Sequence, residues 1–263
     1  MQNLQTMTLE TVRHHVRQAC TSPAGLCVLT GAGMSAESGI PTFRDALTGH
    51  WARFDPMDLA SEEGFRADPA RVWNWYAERR DGVRRAEPNA GHLALGAFAA
   101  RHPGVLTVIS QNVDDLHQRA SNADTIRLHG DILQDRWLDP CPKRPGGPGC
   151  DPAQATPGSP PRCAECGHRV RPGVVWFGEA LPERAMAAAE RAVQACQLLI
   201  VVGTSGAVWP AAGLAALGRR AGATVVIVNP DPSAIDDDAH HLLRGTAAQV
   251  LPLLLTDATP EFP

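Results

Sequence analysis

Cys163 and Cys166, separated by Ala164 and Glu165 and followed by Gly167, form a knuckle whose thiolates can reach one tetrahedral ion. Cys141 and Cys150 are the other cysteines near them in the chain. A structural four-cysteine zinc site is one reading of this set, and a loop with partly free thiols is the other. Gly31, Gly33 and Ala36 follow the apolar run 26–30 at the spacing of a dinucleotide-binding turn. There the first small residue permits the bend, the second lets backbone approach a pyrophosphate, and the third admits close helix packing. Ser35 or Ser38 would cap the helix that follows and leave its N–H groups facing an anion. His129, between a short apolar strand and Gly130, has an ordinary pKa of about 6.5 that suits proton transfer near neutrality. A structural histidine is the competing reading. Tyr76 and Arg79 are three apart and would share a helix face, as an anion site or as an aromatic stripe with arginines turned to water.

These residues need a scaffold, and the chain is long enough to supply one. Its 263 residues are 44% hydrophobic with a net charge of −4, which fits one sizeable globular domain with a smaller module inserted and gives no basic face for nucleic acid. No apolar run approaches the ~20 residues that span a bilayer, and the N-terminus has no apolar signal core. The expectation is a soluble cytoplasmic protein without a membrane partner, in which disulfides are disfavoured. Buried strands are expected at 26–30, 105–110, 125–128, 198–202, 224–229 and 241–243. Helices are expected at 9–20, 69–85, 93–100, from about 114, and at 182–195, 211–221 and 246–255. This alternation predicts an α/β fold, a Rossmann-like, mostly parallel sheet with helices on both faces. Residues 1–45, 91–130 and 174–263 would form that domain. A helical insertion, 46–90, and the cysteine-bearing insertion, 131–173, would form a small lobe. Pro, Gly and Cys replace apolar periodicity from 139 to 171, so that stretch cannot build a core unaided.

The glycine turn continues as Gly-Met-Ser-Ala-Glu-Ser-Gly-Ile-Pro-Thr-Phe-Arg, from Gly33 to Arg44. Further along stand Gln111-Asn112-Val113-Asp114, Leu128-His129-Gly130, Val175-Trp176-Phe177-Gly178-Glu179, Gly203-Thr204-Ser205 and Val228-Asn229. Taken together and in this order, the blocks resemble the sirtuin family of NAD-dependent protein deacylases across roughly residues 20 to 250. The resemblance implies that the acyl-lysine oxygen attacks the nicotinamide ribose and nicotinamide departs. His129 then deprotonates a ribose hydroxyl that attacks the imidate, and water releases O-acyl-ADP-ribose and free lysine. It implies NAD contacts from Gly31, Ala32, Gly33 and Ser35. Phe43 would shield the ribose centre, Arg44 and Gln111 would bond phosphate and ribose, Asn112 would hold ribose hydroxyls, and Asp114 would accept from the nicotinamide amide. Gly203, Thr204 and Ser205 would line the cofactor at a sheet edge, with Asn229 and Asp231 on the adenine-side ribose. Val175, Trp176, Phe177, Gly178 and Glu179 match the segment that pairs with the substrate backbone as an added strand. The family usually carries two Cys-x-x-Cys pairs. Here Trp137 stands where the first cysteine is expected, and the other zinc ligands would be Cys141 and Cys150.

Trp73-Asn74-Trp75-Tyr76-Ala77-Glu78-Arg79 is similar to the Tyr-x-x-Arg segment of class III sirtuins, which binds the distal carboxylate of succinyl-, malonyl- or glutaryl-lysine. Ala60 would leave room for the longer acyl group. The implied partners are acylated lysine side chains of proteins. The oligomeric state stays open, with a monomer as the default. Two other classes use the same cofactor turn, an NAD-sensing binding module and a protein mono-ADP-ribosyltransferase. A hydride-transfer dehydrogenase would share the turn without needing His129, Asn112 and Asp114.

Overall fold

The computed structural model describes residues 2–42, 53–139 and 150–256. Phe43, Arg44 and Cys141 lie outside the described residues. Helix α1 (Gln2–Thr21) precedes strand β1 (Leu26–Thr30), and three helices follow, α2 (Pro56–Leu59), α3 (Glu62–Ala67) and α4 (Pro69–Arg85). Next come α5 (Ala90–Arg101), β2 (Leu106–Ser110), α6 (Leu116–Arg119) and β3 (Ile126–Arg127). Strands β4 (Gly130–Trp137) and β5 (Val170–Val174) form an antiparallel pair of their own. The chain closes with α7 (Glu183–Ala195), β6 (Leu198–Val202), α8 (Gly213–Arg220), β7 (Thr224–Val228), β8 (His241–Leu243) and α9 (Ala247–Leu255).

The main sheet is six-stranded in the order β3-β2-β1-β6-β7-β8, and every pairing in it is parallel. Alternation of side chains along the strands divides their apolar residues between two cores. Leu26, Val28, Leu198, Ile200, Val226 and Val228 face α1, α5 and α9. Cys27, Leu29, Leu199, Val201, Val225 and Ile227 face α7 and α8. Burial on both sides is why these strands consist of uninterrupted apolar residues.

A third core joins Leu59, Phe65, Val72, Trp75, Tyr76 and Val83 of the helical insertion to Ile132 of β4, and to Val174 and Trp176. Helix α4 begins where Asp68 accepts the Arg71 N–H at 3.0 Å and Pro69 fills the first turn. Arg80 ties it to β4, donating to the carbonyls of Ile132 at 2.5 Å and Gln134 at 3.1 Å and pairing with Asp135. The cysteine-bearing stretch thus gains a core by pairing β4 with β5 and leaning on α4. That ribbon is absent from the sequence-based element list.

Two histidines behind the sheet are buried together. His92 on α5 and His117 on α6 meet edge to face with centroids 4.9 Å apart. His92 Nδ1 accepts the Asn89 N–H at 3.3 Å, and His117 Nε2 bonds Thr30 Oγ1 at 3.1 Å. Burial pushes His92 down to about 3 and His117 down to about 4, with Arg119 and Arg127 adding to the respective shifts. Both rings are therefore neutral in the fold and take up protons on unfolding below about pH 6.5. Their contribution is complete above that pH and is lost as pH falls below it. We expect the melting temperature to fall between pH 6.5 and 4.5, and the fall to be shallower in His117→Gln. Parallel melting curves for the two proteins would contradict this.

Candidate active site

Strand order reverses between β1 and β6, the switch point beside which open α/β sheets bind ligands at the strands' carboxyl ends. The expected segments gather there. Residues 31–35 follow β1, 111–114 follow β2, His129 lies two residues beyond β3, 203–205 follow β6, and Asn229 follows β7. Gly33 donates its N–H to the Gly203 carbonyl at 2.8 Å, and a Cβ on Gly33 would stand 2.7 Å from Gly203 Cα. Gly31 is equally confined, since its Cβ would come within 2.8 Å of the Gly203 carbonyl oxygen. These glycines are thus required by the crossing of two loops, whatever ligand lies above them.

Ser35 does not cap a helix. The turn tightens into two short 3-10 segments, 32–34 and 36–38, and Ser35 makes no capping bond. Its hydroxyl donates to Asp114 at 2.9 Å and accepts from the Asn112 side-chain amide at 3.1 Å. All three residues are buried. Burial raises the Asp114 pKa, opposed by hydrogen bonds from the Leu116 N–H and Ser35. Ser38 joins Asn89 instead, whose amide donates to Ser38 Oγ at 3.1 Å and to the Met34 carbonyl at 2.8 Å. Asn89, which also caps α5, therefore fastens the turn to that helix; its signal was the Asn-x-x-His capping spacing with His92.

His129 is half-buried, and its Nδ1 lies 2.7 Å from the Gln111 carbonyl. A carbonyl only accepts, so Nδ1 carries the hydrogen and Nε2 of the neutral ring presents a lone pair. Burial lowers the His129 pKa, with the Gln111 bond acting the other way. Gly130 has φ +83°, and a Cβ there would strike the Gly173 carbonyl at 2.2 Å, so glycine is needed where the chain leaves the histidine for β4. On the cofactor side, Gln111 donates to Thr204 Oγ1 at 3.4 Å and Asn229 to the Thr204 carbonyl at 3.3 Å. Ser205 Oγ accepts from the Ala207 N–H at 3.4 Å. Ala32 sits in the first 3-10 turn. Asp231 is exposed, and its carbonyl holds Arg244 at 3.0 Å.

The segment after β5 is a turn, with a single bridge pairing Phe177 to Ser61. The Phe177 N–H reaches the Ala60 carbonyl at 2.9 Å, bringing Ala60 beside this segment. Val175 donates its N–H to the His129 carbonyl at 2.9 Å, and Gly178 takes φ +84°. Glu179 is turned inward, accepting the Trp176 N–H at 2.8 Å and pairing with Arg171 and Arg136. Arg171, 2% exposed, lies flat on the Trp176 ring, 3.3 Å from its centroid. Sequence reasoning did not single out Arg171 or Arg80, because nothing local marks an arginine whose partners come from other elements. Tyr76 and Arg79 do share a face: the Arg79 guanidinium is 4.7 Å from the Trp75 centroid and 5.8 Å from that of Tyr76. Burial lowers the Arg79 pKa and raises that of Tyr76. The sulfurs of Cys150, Cys163 and Cys166 lie within 4.8 Å of one another. Trp137 donates its indole N–H to the Cys150 carbonyl, which draws Cys150 toward the knuckle.

A family model described as the Sir2 family matches residues 31–210. The chain belongs to the Sir2 family. It is 57% identical over 233 residues to an NAD-dependent protein deacylase of Methylococcus capsulatus, covering 88% of this chain and 91% of that one. It is 53% identical over 228 residues to an NAD-dependent protein deacylase of Ralstonia nicotianae, with coverages of 87% and 89%. A crystal structure of a Sir2 homolog–NAD complex superposes with a TM-score of 0.76 at 41% identity, covering 91% of this chain and 92% of that chain.

NAD fits this Sir2 cleft on two observations. Ala32 and Gly33 stay accessible at the switch point, and a buried trio of amide, hydroxyl and carboxyl stands next to it. Zinc fits the Sir2 knuckle equally, since three thiols can close to about 3.8 Å spacings around an ion bound at ~2.3 Å. The Cys166 backbone lowers the Cys163 pKa, favouring the thiolate a metal takes. Among the described residues no helix is long and apolar enough to cross a membrane.

Proposed function

We propose that this chain removes acyl groups from protein lysine side chains in the cytoplasm, consuming NAD, with preference for acyl groups that end in a carboxylate. The observation that carries the reading is His129 with its Nε2 lone pair uncommitted, beside the buried Asn112–Ser35–Asp114 trio. NAD supplies the ribose carbon that receives the acyl oxygen, with nicotinamide as its leaving group. Asn112 and Gln111 hold ribose hydroxyls, Asp114 accepts from the nicotinamide amide, and Ser35 keeps those two side chains in register. His129 Nε2 takes a ribose hydroxyl proton, and the Gln111 carbonyl fixes its tautomer and ring plane. Gly31 to Gly33, Gly203 to Ser205 and Asn229 hold the rest of the dinucleotide, joined by Arg44 and Phe43. Segment 175–179 receives the peptide backbone, while Ala60, Tyr76 and Arg79 line the acyl site. Cys150, Cys163 and Cys166, with Cys141, would hold zinc in a structural role, stapling the ribbon. Residues 46–90 and 131–173 act as one small lobe over the NAD domain.

The test is mass spectrometry of paired acetyl- and succinyl-lysine peptides of one sequence, with and without NAD, following peptide and O-acyl-ADP-ribose together. NAD-dependent loss of succinyl well ahead of acetyl is expected. Preference for acetyl would return Tyr76 and Arg79 to packing roles. Label transferred from NAD to protein would point to ADP-ribosyl transfer.

A further inference from the structure

Trp176 donates its indole N–H to the Tyr76 hydroxyl at 3.0 Å. The two residues are 2% and 3% exposed. An indole nitrogen can only donate, so this bond occupies a lone pair of the phenol oxygen and leaves the phenol hydrogen to be given elsewhere. No acceptor among the described residues takes it. Buried hydroxyls normally both donate and accept, and with the indole as its donor the role left to the Tyr76 hydroxyl is to donate.

The indole has little freedom to release this bond. Arg171 covers one face, and Phe65 packs against the ring with centroids 5.2 Å apart. Glu179 holds the Trp176 backbone N–H at 2.8 Å, and Arg171 is itself fixed by the Val174 carbonyl at 2.9 Å and by Glu179. Arg79 lies over the tyrosine side of the same cluster. The charges that act on the phenol are Arg79, Arg171 and Glu179, the last two paired with each other, and the Trp176 indole is its fixed donor.

We infer that Trp176 is a positioning residue for acyl selection: its indole N–H makes Tyr76 an obligate hydrogen-bond donor, so the site favours acyl groups that end in an acceptor, a carboxylate above all. This rests on the acidic-acyl reading of Tyr76 and Arg79. Donation into the phenol oxygen polarises its O–H and strengthens the bond it gives. It also keeps that oxygen's lone pairs from turning toward the incoming carboxylate, where they would repel it.

Trp176→Phe keeps an aromatic ring under Arg171 and removes the donor together with part of a buried ring, a packing loss that both peptides share. The ratio of kcat/KM for succinyl over acetyl peptide should fall about fivefold to tenfold, chiefly through KM for the succinyl peptide. The Trp176→Phe/Tyr76→Phe double variant should have the same ratio as Tyr76→Phe alone, because both changes break one bond. Equal losses on both peptides, or independent effects in the double variant, would overturn the inference. A measurement on the unmodified enzyme guards against a variant that fails to fold. The Trp176 indole N–H resonance should shift further with succinyl-lysine peptide than with acetyl-lysine peptide, whose backbone meets the same segment, and equal shifts with the two peptides would also overturn the inference. An unmodified enzyme with no preference for succinyl sinks the acidic-acyl reading and this inference with it. A clear succinyl preference that survives Trp176→Phe sinks the inference alone.

Discussion

His129→Ala should lower deacylation by about 10²–10⁴-fold while exchange of labelled nicotinamide into NAD continues. The split follows from where the proton is needed. Nicotinamide leaves when the acyl oxygen reaches the ribose, and no group has to be deprotonated for that. The base is required afterwards, when a ribose hydroxyl becomes a nucleophile. In the proposed role His129 Nε2 takes that proton, and its neutral form is favoured by burial that lowers the pKa while the Gln111 carbonyl, 2.7 Å from Nδ1, fixes the tautomer. The sign for pH follows directly. A base acts unprotonated, so its lowered pKa places the acid limb of kcat/KM below about 6.5, and activity declines as pH falls through it. In His129→Ala that limb should disappear from the residual rate. Exchange that falls in step with deacylation would place His129 earlier in the reaction or make its role structural. Stability should change little, since the half-buried ring is held among the described residues by its bond to the Gln111 carbonyl, so a melting curve close to that of the unmodified protein is the control.

How much of this was legible depended on where each residue's partners lie. Strands β1, β6 and β7 carry their evidence in themselves, because burial on both faces leaves near-continuous apolar runs, broken only by Thr30 at the end of β1 and Thr224 at the start of β7. Helix α4 announces its start through Asp68 and Pro69 and its buried face through Val72, Trp75, Tyr76 and Val83. The ribbon of β4 and β5 was hidden for the opposite reason. Much of β4 is exposed and charged, and it pairs with a strand more than thirty residues later in sequence, across the cysteine-bearing stretch. Ser35 was read as a helix cap because its type and position fit one, yet the turn continues as 3-10 segments and the hydroxyl serves Asp114 and Asn112. Glu179 belongs to the segment matched as a main-chain partner for substrate, and its side chain pairs with Arg171, an ion pair that no periodicity reports. Residues at the ends of strands could be matched by motif, whereas the groups that hold them came into view only with the packing.

The largest selectivity change should come from Arg79→Met. Methionine keeps an unbranched side chain of similar reach and packs well on the Trp75 face that the guanidinium now covers. What it removes is the cation. A hydrogen bond to a charged group contributes about 1.5–3 kcal/mol, so kcat/KM for the succinyl peptide should fall about 10–100-fold. The acetyl peptide has no carboxylate to lose. Burial depresses the Arg79 pKa, with Tyr76 and Asp114 acting the other way. The succinyl-to-acetyl ratio should therefore collapse through loss of the succinyl rate. Arg79→Lys separates charge from geometry: a lysine restores the cation without the planar fork, and should recover part of the succinyl rate only. If Arg79 instead served to pack α4, methionine would alter both peptides alike through stability. Kinetics on the two peptides, taken with the melting temperature, therefore decide between a guanidinium that reads the acyl terminus and one that merely covers Trp75.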